Sequence, residues 1–233
     1  MRSLSLLAAT LCIGLTLADI NHQLVREDII ALEPLSGSAS SVETTPPLPA
    51  ALRYQLDASQ SKFIAHALAG GLLWFKGHDH LVAVRDFTGE AQLTPNSITP
   101  ASLMIVAKTA SMVETSSVFT EPQKQIINKE LREIVLLPDQ YPEIVFKSTS
   151  VTGKAIAANQ YDLKIVGDLT LHGTTRQITI PTKVTVTGND LRAQGEFSIS
   201  RDDFNVKATS AVHGLVRVKD KVKFTFDIVG HQQ

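Results

Sequence analysis

Cysteine is almost missing: the single one among 233 residues, Cys12, lies in an N-terminal apolar stretch. A chain processed beyond it has no thiol, which excludes a disulfide framework, a thiol nucleophile, a thiolate zinc site and covalent haem attachment. An excess of charge is missing too. Twenty-two Lys and Arg stand against 23 Asp and Glu, a net charge of −1, so there is no basic surplus for a nucleic-acid backbone. Catalytic signatures are also missing. No G-x-S-x-G, H-E-x-x-H, P-loop or dinucleotide fingerprint occurs, and no serine has a local setting that would activate it, so the expectation is a protein that is not an enzyme. What is present is ordinary globular composition, 43% apolar and 19% charged.

The chain opens Met1-Arg2-Ser3 and continues with the apolar run Leu4 to Leu17, shorter than the roughly 20 residues of a bilayer span. Thr16-Leu17-Ala18 offers a small-x-small cleavage site, so residues 1–18 are expected to be a signal peptide and the mature protein periplasmic or secreted. Residues 19–53 contain Ser36-Gly37-Ser38-Ala39-Ser40-Ser41 and then Pro46, Pro47 and Pro49. That composition suits a flexible linker, with one short helix allowed over Asn21–Leu32. From Tyr54 the pattern becomes alternating, which places one domain at 54–233.

The alternation predicts an antiparallel all-β domain. Val222, Phe224, Phe226 and Ile228 face one way in a strand over 221–229, and Tyr161, Leu163, Ile165, Gly167, Leu169 and Leu171 do so in another. Turns at His172-Gly173-Thr174-Thr175 and Thr187-Gly188-Asn189-Asp190 make hairpins of the neighbouring runs, including Leu191 to Ile199. Further strands are expected at 61–68, 72–83, 86–93, 101–108, 143–151 and 211–218. One α-helix interrupts them, opened by a capping box from Thr120 to Gln123 with Pro122 in its first turn. It carries Ile127, Leu131, Ile134 and Val135 on one face and ends at Pro138. Long strands with a single buried face favour a closed barrel over a sandwich.

The order of these motifs resembles the YceI family of polyisoprenoid-binding, lipocalin-like barrels. The resemblance runs from about Tyr54 to His231. Its carriers are Tyr54-Gln55-Leu56-Asp57 with Ser61 and Phe63, Phe87-Thr88-Gly89 with Leu93, and Tyr141-Pro142-Glu143-Ile144-Val145-Phe146-Lys147-Ser148. Gly167 to Thr175, Arg201-Asp202-Asp203-Phe204 and Val218-Lys219-Asp220-Lys221-Val222 complete it. The sequence departs from the family pattern in its long N-terminal segment, in Asn205, and in Gly77-His78-Asp79-His80. The resemblance implies an exported lipid-binding protein that sequesters or carries a polyisoprenoid, an isoprenoid quinone or a fatty-acid amide in an apolar tunnel. It implies an antiparallel barrel of about eight strands capped by the helix; no cofactor is expected beyond the bound isoprenoid or acyl lipid, and transient membrane contact is open to such a protein.

An eight-stranded barrel can be filled by its own side chains or hold one small ligand, so closure alone does not decide the function. Candidate tunnel residues are Phe146, Ile165, Leu169, Leu171, Phe224, Phe226 and Ile228, with either Trp74 or Phe75, since strict alternation turns only one of that pair inward. Gly167 and Gly195, inside good strand patterns, leave room or mark bends. His78 and His80 share one strand face and, with Arg201, are candidates for a polar mouth. Arg201 has the alternative of a local ion-paired turn with Asp202 and Asp203. The run Arg217, Lys219, Lys221 and Lys223 reads as a solvated strand face. The rival reading is a metal- or haem-binding protein using His78 and His80, with a hydrolase or redox role. It needs a third ligand, for which His66, His172 and His213 are the possible donors. A third reading makes the chain a structural envelope module with residues 19–53 as spacer.

Overall fold

The computed structural model describes residues 50–211, 213 and 215–233. The expected signal peptide, most of the linker and the short helix over 21–32 lie outside the described residues. The chain from Leu52 folds as β1 (Leu52–Gly70), β2 (His80–Val84), β3 (Phe87–Thr94), β4 (Ile98–Lys108) and β5 (Met112–Glu114). There follow α1 (Glu121–Glu130), β6 (Glu143–Ala157), β7 (Gln160–Leu171), β8 (Thr174–Thr187), β9 (Asp190–Ser200), β10 (Ser210–Ala211) and β11 (Val216–Gln232). All strand pairs are antiparallel. The order β11-β9-β8-β7-β6-β4-β3-β1 closes on itself where β1 pairs with β11, so eight strands form a barrel and β2, β5 and β10 extend it at one end.

Closure removes free sheet edges, and the period-two pattern supplies the buried face. On β7, Tyr161, Leu163, Ile165, Gly167, Leu169 and Leu171 are all buried and Asp162, Lys164 and Asp168 exposed. The hairpins fall where the turn residues stand: Leu171 pairs with Thr174 across His172-Gly173, and Thr187 with Asp190 across Gly188-Asn189. On β1 the ladder shifts register between Asp57 and Lys62, and the bulge is held by Asp57, whose Oδ1 accepts the Ser59 amide at 2.8 Å and its hydroxyl at 2.6 Å.

Three expectations are corrected. The strand expected over 72–83 is interrupted: Gly71 has φ +86°, the Leu73 amide donates to the Leu215 carbonyl at 3.0 Å, and Trp74–Lys76 form a short 3-10 turn before β2 starts at His80. Gly70-Gly71 and Gly77 are the punctuation that breaks the pattern. The strands expected at 211–218 and 221–229 are largely one, β11, because Asp220 does not turn the chain. Its carboxylate accepts the Ser200 hydroxyl at 2.6 Å and the Asp202 amide at 2.9 Å, so it braces the neighbouring turn from within the strand. The helix opens as expected, with the Thr120 amide donating to Gln123 Oε1 at 2.8 Å, but it continues beyond Glu130 as a π-helical turn over Leu131–Leu136. The wider turn changes which residues face inward: Leu131 and Val135 turn to the barrel and Ile134 is exposed.

Candidate functional site

The barrel is hollow. A cavity of about 240 Å³ runs inside it, bordered by side chains from β1, β3, β4, β6, β7, β8, β9 and β11 and by Ile127, Leu131 and Val135 of the helical segment. Phe146, Ile165, Leu169, Leu171, Phe224, Phe226 and Ile228, the strand residues assigned inward from alternation, all border it. Trp74 and Phe75 do not. They sit on the 3-10 turn, packed edge to face on each other at 6.4 Å and left 61% and 63% exposed, because the interrupted strand carries them out of the barrel wall.

Two features keep the interior open. Alanines stand where larger residues would fill it, among them Ala91 on β3 and Ala193 on β9. Glycines lie under aromatic rings: a Cβ on Gly195 would fall 2.7 Å from Phe226 Cζ and 2.3 Å from the Pro181 carbonyl oxygen, and one on Gly167 would fall 2.6 Å from Phe146 Cζ. The rings therefore lie flat against the wall. Phe197 stacks on Phe224 at 5.0 Å and 9°, and Phe63 meets Phe224 and Phe226 edge-on at 6.0 and 6.4 Å, giving the tunnel an aromatic side. One end is filled by Tyr54 and Tyr161, 0% and 2% exposed, which do not border the cavity. Burial, with Tyr161 alongside, pushes the Tyr54 hydroxyl above its ordinary range.

The other end is polar. His80, Glu130, Arg201 and Lys207 border the cavity there, and a second hollow of about 340 Å³ adjoins it, sharing His80, Ile127, Glu130, Thr209 and Val218. His80 is the junction. Its Nδ1 lies 2.8 Å from Glu114 Oε2, and Phe119 stacks on its ring at 5.1 Å. The Glu114 carboxylate is fully buried and accepts the Leu81 amide at 3.2 Å and the Ser116 amide at 2.7 Å, while the Glu114 amide donates to Asn128 and ties β5 to α1. Burial pushes this carboxyl up, but the His80 hydrogen bond and the two amides outweigh it, and the net shift is downward.

A carboxylate with a depressed folded-state pKa contributes stability above its unfolded value and loses it as pH falls through the folded one. Melting temperature should therefore drop more steeply below about pH 4.5 in the wild type than in Glu114→Gln, and at neutral pH the substitution should cost about 1.5–3 kcal/mol. Parallel thermal melts of the two proteins across that pH range check this; superimposable pH profiles would show that Glu114 carries no such load.

The histidines expected to share a strand face do not. Only His80 is in a strand; His78 precedes it, is exposed, borders the outer hollow and meets the Phe119 ring edge-on at 5.7 Å. Asp79 between them accepts the Ala69 amide at 2.8 Å. Two of the three possible third donors are engaged elsewhere: His66 Nε2 pairs with Thr225 Oγ1 at 2.9 Å, and His172 packs on Tyr141 at 4.0 Å, where burial and Lys207 lower its pKa; the third, His213, is exposed in the turn before β11. Among the described residues no three His, Cys, Asp or Glu side chains are grouped to hold a metal ion.

Arg201 lies at the cavity and within an ion-paired turn. It borders the cavity while its guanidinium pairs with Asp202 at 2.9 Å, lies 3.9 Å from Asp220 and donates to the Val206 carbonyl at 2.6 Å. Its second carboxylate is thus Asp220 of β11, not Asp203.

The family model of the YceI-like domain matches residues 54–230. The chain belongs to the YceI family. Its barrel superposes with Burkholderia cenocepacia BcnA at a TM-score of 0.58, with 21% identity over 75% of this chain and 98% of that one. A polyisoprenoid binding domain from Saccharophagus degradans gives 0.55, with 14% identity over 78% and 99%. At these identities the likeness is one of fold. A UPF0312 protein of Vibrio parahaemolyticus is 32% identical over 104 residues, 45% of this chain, and the match spans about half of that relative's length.

Glu114 and Phe119 were not legible as site residues. Each is a lone residue without periodicity, and only the pairing of β5 with β2 brings them to His80.

Proposed function

We propose that this YceI-like barrel is an exported carrier that holds the hydrocarbon chain of a polyisoprenoid, or of a related long amphiphile such as an isoprenoid quinone or fatty-acid amide, and performs no covalent chemistry on it. The observation that carries the reading is the apolar hollow to which every barrel strand contributes. A void of this kind is costly. At ~24 cal/mol per Å³, leaving about 240 Å³ empty forgoes on the order of 6 kcal/mol. That is comparable with the entire stability of many domains, so such a space is retained where a guest fills it.

An acyl or prenyl chain gains about 0.8 kcal/mol per buried methylene relative to water. A bilayer offers the same chain a similar gain, so exchange between membrane and barrel is close to balanced, which suits a reversible carrier. In this proposal the apolar tail runs toward Tyr54 and Tyr161, and its polar end stays at the mouth with His80, His78 and Arg201. The likeness in fold to a polyisoprenoid binding domain supports the reading, and the apolar run over residues 4–17 supports export.

Solvent extraction of the protein purified from a bacterial host tests it. The expected result is close to one equivalent of a long-chain isoprenoid or acyl amphiphile per barrel; an extract holding no such chain, together with failure of the stripped protein to take one up, would defeat the proposal.

A further inference from the structure

The tunnel mouth is surrounded by apolar side chains that face solvent. Leu72, Trp74 and Phe75 are 77%, 61% and 63% exposed on one loop. Leu215, 40% exposed, stands on a second loop joined to the first by the Leu73–Leu215 backbone hydrogen bond. Across the outer hollow, Ile126 of α1 is also exposed. Scattered apolar residues on a surface need no explanation, but a contiguous set around one opening marks an interaction site.

The charges on the two loops have one sign, and the acid at the hollow, Glu130, stands on the α1 side. Residues 70–78 contain Lys76 and no acid, and residues 206–219 contain Lys207, Arg217 and Lys219 and no acid. The nearest acid beyond the first loop, Asp79, has its carboxylate turned to the Ala69 amide. Exposed tryptophan, phenylalanine and leucine bounded by cations form a surface complementary to one partner in particular, a bilayer with phosphate headgroups. Aromatic rings settle at the headgroup level of such a surface and lysines meet its negative charge.

We propose that the loop Leu72–Lys76, with Leu215 beside it, is a docking element that inserts into the surface of an anionic lipid bilayer and seats the tunnel mouth against it. The element lets a chain pass between bilayer and barrel without crossing water. The proposal deepens the carrier reading and rests on it for its purpose, while the docking itself is measured independently.

Trp74 is the sole tryptophan of the chain, so its fluorescence reports this loop alone. Added vesicles of phosphatidylethanolamine with phosphatidylglycerol should shift its emission to shorter wavelength, and brominated acyl chains in the vesicles should quench it. Both effects should weaken on pure phosphatidylcholine and at high salt. The double variant Leu72→Ser, Phe75→Ser should lose at least ~10-fold in vesicle partitioning, measured by flotation, while its solvent extract still contains the chain found in wild type.

If wild-type emission ignores vesicles although the purified protein yields its lipid, docking is overturned and the carrier reading stands. Docking by a protein that neither yields nor takes up any lipid supports the inference and sinks the carrier. An emission shift that grows with protein concentration in the absence of vesicles, together with a dimer in sedimentation, would mean that a second copy covers the patch, and would overturn the inference.

Discussion

Replacing Ala91 and Ala193 together by leucine is expected to evict the lipid while leaving the barrel folded and, in its lipid-free form, at least as stable as wild type. Both alanines border the tunnel, one on β3 and one on β9. Each substitution adds three carbons. In a solid core such insertion forces side chains off their rotamers and costs about 1–3 kcal/mol. In a hollow one the added carbons bury themselves in vacant space at about 0.8 kcal/mol each. The sign of the stability change therefore separates the two cases. Urea denaturation of lipid-free proteins should give an unchanged or raised midpoint, and bound lipid should fall at least ~10-fold. The comparison must be made on stripped protein, because a bound chain stabilises the wild type by mass action. A lowered midpoint with lipid still bound would show that these positions face packed atoms.

Gly195→Ala should have the opposite character: a single methyl that costs about 3 kcal/mol or more, at the upper end of what overpacking does. Its Cβ would lie 2.3 Å from the Pro181 carbonyl oxygen and 2.7 Å from Phe226 Cζ. The ring is a side chain and can move; the carbonyl belongs to β8 and cannot without disturbing a ladder in which Gly195 pairs with Thr182. Adding Phe226→Leu should therefore recover only part of the loss, and the two substitutions should couple rather than add. Urea midpoints of the two single variants and the double variant measure this. Full recovery in the double variant would mean that the ring alone needs the glycine, and no loss in Gly195→Ala would mean that the wall is looser than the geometry says.

These two glycine and alanine effects bear on what a sequence can disclose. The barrel was legible because its information is periodic. Alternation from Tyr161 to Leu171 and from Val222 to Ile228 fixes which face is buried, and the turn residues at 172–173 and 188–189 fix where strands reverse. Alternation is identical for a filled and an empty barrel, however. The difference lies in side-chain volume across the lumen: Gly195 beneath Phe226, Gly167 beneath Phe146, and alanines at 91 and 193. No single strand reveals those pairings before its neighbours are known.

The mouth was less legible for a related reason. Trp74 and Phe75 look like strand residues when judged by hydrophobicity, yet Gly71 takes a positive φ and the backbone bond from Leu73 to Leu215 draws the loop aside. The spacing of His78 and His80 suggested a shared face, but a carboxylate 34 positions along the chain from His80 governs its orientation. Ile134 fell on the expected helical face and turned outward because the helix widens into a π-turn at Leu131. In each case a long-range contact or a local irregularity overrode a short-range pattern.

The most direct test of the account is the intact mass of the purified protein, recorded first under native and then under denaturing conditions. The account predicts a native mass exceeding the denatured one by one long-chain amphiphile per barrel, the excess disappearing on unfolding and missing from the Ala91→Leu, Ala193→Leu variant. Equal native and denatured masses, in a folded protein offered such a chain, would contradict it.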